Sequence, residues 1–152
     1  MLCPVCNEEM IILEVDEVEV DHCVACGGIW LDPGELDLLV EMSGAEPGPL
    51  SRLVEGGGGK KPSQKRRCPV CRREMLEVVV EGPTSAVRRI GVDRCRHGHG
   101  LWLDDQELGP LIESAGGAAE TDALARLCGR MLRSERSETR GGGSDVGTDS
   151  GE

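Results

Sequence analysis

Cys3-Pro4-Val5-Cys6 is followed, after sixteen residues, by Cys23-Val24-Ala25-Cys26-Gly27-Gly28-Ile29-Trp30-Leu31-Asp32. Each segment contains two cysteines separated by two residues, a spacing that lets one turn of the chain place two thiolates on one metal ion. A tetrahedral zinc ion takes four ligands, and a short hairpin between the turns brings two such pairs together. The sequence therefore predicts a structural zinc site at Cys3, Cys6, Cys23 and Cys26, with no position left for water or substrate.

The same pattern returns later in the chain. Cys68-Pro69-Val70-Cys71 repeats the first segment at an offset of 65, and Gly100-Leu101-Trp102-Leu103-Asp104 repeats the end of the second segment at an offset of 72. The chain therefore contains two copies of one unit. We predict the first unit at residues 1–44, a flexible linker at 45–65, the second unit at 66–114, an amphipathic helix at 115–140 and a disordered tail at 141–152.

The second predicted metal site is less regular than the first. Cys68, Cys71 and Cys95 repeat three of the ligands, but Gly98 stands where the fourth cysteine is expected. We predict His99 as the fourth ligand, in a Cys3His site, because its position between two glycines allows the ring to be re-aimed. His97 remains the alternative, although its spacing from the last cysteine makes a tighter chelate. An open coordination position that would allow metal sensing or catalysis is the remaining alternative.

The residues between the cysteine pairs predict a small, metal-stabilised α+β fold. Apolar residues alternate over 11–20 and again over 76–92, as in a β-hairpin. After each tryptophan we expect a short helix, capped by Asp32 with Glu35 in the first unit. In the second unit, Gly109-Pro110 is expected to break or kink that helix. Left-handed backbone angles are expected after the knuckle cysteines, at Asn7, Gly27 and Gly28.

The composition explains why metal is needed. The 152 residues include no Phe or Tyr and only two tryptophans, and a unit of about 45 residues buries too little apolar surface to offset its chain entropy. Zinc binding contributes roughly 10 to 16 kcal/mol in comparable peptides. We therefore expect two zinc ions per chain, with Trp30 and Trp102 each covering the zinc site of its own unit.

The quoted residues resemble the TFIIB-type zinc-finger family of small, mostly bacterial and archaeal proteins. Cys3, Cys6, Cys23 and Cys26 fall on the four metal positions of that family, and Cys68, Cys71 and Cys95 fall on three of them. The resemblance covers the two units, about 90 residues, and the Cys-x3-His of the second unit departs from the common pattern. It implies zinc ribbons with a link to transcription.

The charges are divided unevenly. Residues 1–50 carry twelve acids and no Lys or Arg, whereas residues 60–96 carry eleven bases and four acids, in a chain of net charge -11. The basic stretch predicts a phosphate-binding face and weak nucleic-acid binding. The alternative is that the acidic unit screens the basic one. The basic residues are Lys60, Lys61, Lys65, Arg66, Arg67, Arg72, Arg73, Arg88, Arg89, Arg94 and Arg96.

We expect a zinc-binding protein without catalytic or cofactor-binding residues, acting as a tandem zinc-ribbon adaptor in transcription or another macromolecular assembly. A redox or zinc-responsive thiol module that releases metal on oxidation is the alternative from another class. No apolar run in the sequence is long enough for a membrane span, and the residues from Met1 onward do not have the charged and apolar pattern expected of a signal peptide. We therefore expect a cytoplasmic protein with a protein partner and no membrane. Cys128 is interpreted as a small buried apolar residue.

Overall fold

A computed structural model describes residues 1–15, 17–55, 59–82 and 89–116. Six strands and three helices lie in these ranges: β1 (Ile11–Val15), β2 (Val18–His22), β3 (Ile29–Leu31), α1 (Glu35–Met42), α2 (Pro49–Glu55), β4 (Leu76–Glu81), β5 (Arg89–Arg94), β6 (Leu101–Leu103) and α3 (Leu108–Ser114). The predicted α+β class is confirmed. The sequence anticipates the hairpin strands to within a few residues.

The two units share one antiparallel sheet with the strand order β1-β2-β3-β6-β5-β4. Each unit contributes a hairpin and one short strand, and the short strands β3 and β6 pair with each other at the centre. Trp30 lies opposite Trp102 in this pairing, flanked by Ile29 opposite Leu103 and Leu31 opposite Leu101. The units therefore form one body around an approximate two-fold relationship, an arrangement that the repeat alone does not reveal.

The sheet has two chemically different faces. Successive side chains of a strand point to opposite faces, so Ile29 and Leu31 lie on one face and Trp30 on the other. The first face packs against the helices in an aliphatic core, whereas Trp30 belongs to a second buried cluster that contains the cysteines. The helices contribute the following buried residues to the aliphatic core: Leu36, Leu39, Val40, Leu50, Val54, Leu108, Leu111 and Ile112.

The segment predicted as a flexible linker, 45–65, contains helix α2. Leu50 and Val54 of this helix are buried, and the helix contacts both β4 and β5 of the second unit. Lys60 forms an isolated bridge with Glu77 beside β4. The prediction of a flexible linker is therefore wrong for Pro49–Glu55. The apolar residues of α2 cover aliphatic surface that the shared sheet leaves open.

The helix starts also differ from the expectation. Gly34, with a left-handed φ of 92°, is the N-cap of α1, and Asp32 does not cap the helix through its side chain. In the second unit, Gly109-Pro110 lies within the first turn of α3 rather than breaking it. Proline is tolerated there because the first turn of a helix needs no backbone N–H donor.

Several predictions fall outside the described residues. These are the greater part of the amphipathic helix at 115–140, with Cys128, the tail at 141–152 and the turn at 83–88. Within the described ranges, no helix combines the length and apolar character needed to cross a membrane.

Candidate metal centres

Four thiols of the first unit converge. The ligand atoms of Cys3, Cys6, Cys23 and Cys26 all lie within 4.8 Å of one another. The Sγ atoms of Cys3 and Cys26 are 3.6 Å apart, and those of Cys6 and Cys23 are 3.3 Å apart. A tetrahedral zinc ion with Zn–S bonds of about 2.3 Å holds its sulfurs about 3.8 Å apart, whereas a disulfide needs about 2.05 Å. The geometry fits zinc and excludes disulfides between these pairs.

A second group has three thiols and one imidazole. The ligand atoms of Cys68, Cys71, Cys95 and His99 lie within 4.8 Å of one another. His99 Nδ1 is 3.4 Å from Cys95 Sγ and 4.0 Å from Cys68 Sγ. The exposed His97 is not a member of this group, and its ring centroid is 6.3 Å from that of His99. The chain thus contains two groups that could each hold one zinc ion.

The turns that carry the cysteines are shaped by backbone conformation and hydrogen bonds. Asn7 and Gly27 follow the second cysteine of their turns with left-handed φ values of 67° and 84°. The backbone N–H of Val5 donates to Cys3 Sγ at 3.3 Å, and Val70 N–H donates to Cys68 Sγ at the same distance. These N–H groups stabilise the charge of a thiolate and orient its sulfur toward the metal position.

Without metal, the thiols of the second group have very different proton affinities. The backbone N–H of Arg73 is the main cause of a lowered pKa at Cys71, about 7, whereas burial raises the pKa of Cys68 to about 12. Zinc binds thiolates, so binding must displace the proton of Cys68. A divalent metal ion would stabilise the negative charge of the Cys68 thiolate, which burial otherwise disfavours.

The tryptophans cross between the units. A Cβ atom at Gly28 would overlap the ring of Trp102, and a Cβ at Gly100 would lie 2.6 Å from Cζ2 of Trp30. Gly28 lies two residues after Cys26, and Gly100 follows His99, so each ring packs on a metal-binding turn of the other unit. The prediction that each tryptophan covers its own zinc site is therefore corrected. Gly28 does not have the expected left-handed φ. A glycine is needed there because the Trp102 ring leaves no room for a Cβ atom.

Each indole is held by the acidic residues that follow it. Trp30 Nε1 donates to Asp32 Oδ1 at 3.0 Å, and the backbone N–H of Asp32 donates to Glu35 Oε2 at 2.7 Å. Trp102 donates to Asp104 at 3.0 Å and the N–H of Asp104 to Glu107 at 2.8 Å. Burial is the main cause that raises the pKa values of Glu35 and Glu107 to about 7. The carboxylates predicted as helix caps thus position the tryptophans.

The predicted basic face is only partly assembled. Arg66 is not available to phosphate, because its Nη1 atom bridges Asp93 at 2.8 Å and Asp104 at 2.9 Å. Lys65, Arg67 and Arg72 instead line a groove of about 270 Å³ between the first knuckles of the two units. Arg88 lies outside the described residues. The Arg66 ion pair is not among the predictions from the sequence. Comparison of the two repeats offers one signal for it, because the second unit has an arginine where the first unit has Met1.

Comparison with known proteins agrees with this geometry. Residues 2–42 match the family model described as transcription factor zinc-finger. No curated protein and no solved structure matches the chain. The matched range ends at the last residue of α1 and contains all four thiols of the first group, and the second unit repeats the arrangement. The first unit is therefore similar, over residues 2–42, to the transcription factor zinc-finger family.

Proposed function

We propose that this chain is a non-enzymatic, cytoplasmic adaptor made of two tandem zinc ribbons, whose metal ions hold a binding surface for a protein partner in a macromolecular assembly such as transcription. One observation carries the proposal. The β3–β6 pairing joins the two candidate zinc groups in one sheet, so the knuckles of both units form the walls of a single groove. Closed four-ligand groups suit a structural role of this kind.

The groove has the properties of a protein-binding surface. Val5, which lines the groove, is 44% exposed. Lys65, Arg67 and Arg72 add positive charge to the same lining. A partner segment that carries both apolar and acidic side chains would be complementary to this lining. Because the groove is formed by both knuckles, loss of either zinc ion should disrupt it.

Partner capture from the native cell tests the proposal. The zinc-loaded chain is used as bait beside two variants, Val5→Glu in the groove and Leu38→Glu on the exposed side of α1. We expect a partner that the unmodified chain and the Leu38→Glu variant retain and that Val5→Glu loses, with unchanged zinc content in all three. Equal retention by the unmodified chain, by Val5→Glu and by the zinc-free chain would contradict the adaptor role.

A second candidate function is weak nucleic-acid binding through the same groove, favoured by its three cations. Against tight binding stand the twelve acids of residues 1–50 and the absence of Phe and Tyr for base stacking.

A further inference from the structure

The two units carry equivalent carboxylates, but only the second unit provides its own cation. Asp93 lies opposite Trp102 in the sheet, and Asp21 lies opposite Trp30 in the same way. The four carboxylates that follow the tryptophans are held by hydrogen bonds of nearly equal length, as described above. The backbone therefore places Asp21, Asp32 and Glu35 as it places Asp93, Asp104 and Glu107.

In the second unit, these carboxylates bind a guanidinium group. Arg66 Nη1 contacts one oxygen of Asp93 and both oxygens of Asp104, while its Nη2 atom donates to Gln64 Oε1 at 2.7 Å. Arg66 and Glu107 also line the same cavity of about 200 Å³. The pair is well covered, with side-chain exposures of 14% for Arg66 and 9% for Asp93. The second unit thus shows which chemical group this arrangement binds.

The first unit has no such side chain. Met1 stands at the position of Arg66, and residues 1–50 contain no Lys or Arg. The amino group of Met1 acts electrostatically on Asp21, but its ion pair is with Glu9, at 3.7 Å. Within the described ranges, no ion pair to Asp21 or Asp32 is present. Asp32 is exposed, in contrast to the partly covered Asp104.

We propose that Asp21, Asp32 and Glu35 form a binding site for an arginine side chain of a protein partner, in the geometry that Arg66 shows in the second unit. The planar guanidinium matches paired carboxylate oxygens better than a lysine ammonium does. Nucleic acids carry no guanidinium, so the occupant is a protein. The raised pKa of Glu35, caused mainly by burial and then by neighbouring carboxylates, agrees with a surplus of negative charge here.

The biological use of this site rests on the proposed adaptor function, because the arginine would come from the adaptor's protein partner. Binding of arginine to the site can nevertheless be measured without any partner. The two indole N–H groups serve as paired reporters, since Trp30 donates to Asp32 and Trp102 to Asp104. N-acetyl-arginine amide is titrated into the zinc-loaded, ¹⁵N-labelled full chain. We expect the Trp30 indole resonance to shift saturably, with millimolar affinity, while the Trp102 resonance stays in place.

Matched variants define the site. Asp32→Asn should weaken binding roughly tenfold, because a charge-assisted pair is replaced by a neutral hydrogen bond. Glu41→Gln, which removes one exposed charge from α1, should not. Arg66→Met copies the first unit into the second and should make the Trp102 indole responsive to the same probe. Arg66→Gln serves the same purpose if the methionine variant does not fold.

Three results would overturn the inference: no Trp30 shift at tens of millimolar probe, equal shifts of both indoles in the unmodified chain, or a stronger Trp30 response to N-acetyl-lysine amide or Ca²⁺ than to the arginine probe. A stronger Ca²⁺ response would identify a divalent-cation site instead. Failure of partner capture leaves this titration unaffected, so the two proposals fail independently.

Discussion

Trp30 and Trp102 lie directly opposite each other at the centre of the six-stranded sheet, and each ring packs on a glycine of the other unit. Both tryptophans are fully buried, in one cluster with buried cysteines of both metal groups. The two units are therefore mechanically connected through their metal knuckles. A substitution at the metal-binding turn of one unit should therefore change the environment of the tryptophan of the other unit.

Gly28→Ala tests this connection. The added methyl group overlaps the Trp102 ring, and overpacking of this kind costs about 1 to 3 kcal/mol. We expect a lower denaturant midpoint for the zinc-loaded variant. We also expect red-shifted tryptophan emission as water reaches the ring.

Gly34→Ala is the control for this variant, because a Cβ there meets nothing within 4 Å although φ is 92°. Its expected cost is only the left-handed strain, about 1 kcal/mol, and its emission should not change. Unchanged stability and emission of Gly28→Ala would show that the rings do not pack across the units.

The fourth ligand of the second group is tested by a pair of alanine variants. His99→Ala should lose one zinc ion or bind it far more weakly, since His99 Nδ1 faces two thiols. His97→Ala should keep both ions, because the exposed His97 lies outside the group. Zinc content after gel filtration is the measurement. Loss of zinc from His97→Ala with retention in His99→Ala would reverse the assignment.

The two groups of metal-binding side chains and the hairpins could be predicted because they rest on local signals. The cysteine spacing is visible in the sequence, and the repeat shows it twice. The pairing of β3 with β6 could not be predicted, because Ile29–Leu31 and Leu101–Leu103 are three-residue, wholly buried strands without polar alternation. Such strands carry no information about their partner.

Two further differences follow from that pairing. The sequence predicts Gly28 as a turn residue, but the Trp102 ring, 74 positions later in the chain, determines its role. The sequence predicts a linker at helix α2, because its apolar residues have a surface to pack against only once the shared sheet has formed. Long-range contacts of this kind override local composition.

The buried carboxyl of Glu107 predicts a specific pH dependence. Its pKa is raised to about 7 in the folded protein, mainly by burial. Between about 4.5 and 7 the folded state therefore binds more protons than the unfolded state, so stability falls as pH rises through this window. We expect Glu107→Gln to gain on the unmodified chain by about 0.5 to 1 kcal/mol between pH 6 and pH 8, after allowing for solvent screening.

Glu113→Gln, at an exposed position of α3, is the control and should show no such trend. The measurement is urea unfolding of the zinc-loaded proteins at pH 6, 7 and 8. A Glu107→Gln advantage that shrinks as pH rises would mean that the folded state holds this carboxylate in its charged form.

The groove predicts the outcome of nucleic-acid binding experiments. We expect the intact chain to bind single-stranded DNA weakly and with strong salt dependence. Replacing Lys65, Arg67 and Arg72 by Gln should reduce the slope of log K against log salt by about 2, since each phosphate contact contributes about 0.7. The equal charge change at Lys60, Lys61 and Arg73 should have a smaller effect. Tight, salt-insensitive binding that survives the groove variant would instead place the interface elsewhere.

The most direct test of the account is the metal content of the full chain, purified without added metal and measured by native mass spectrometry together with elemental analysis. Two groups of four ligands predict a single species with two zinc ions. Chelation should release both ions and disrupt the shared sheet, because each unit is too small to fold by apolar burial alone. One metal ion or fewer at full occupancy, or iron in place of zinc, would contradict the account.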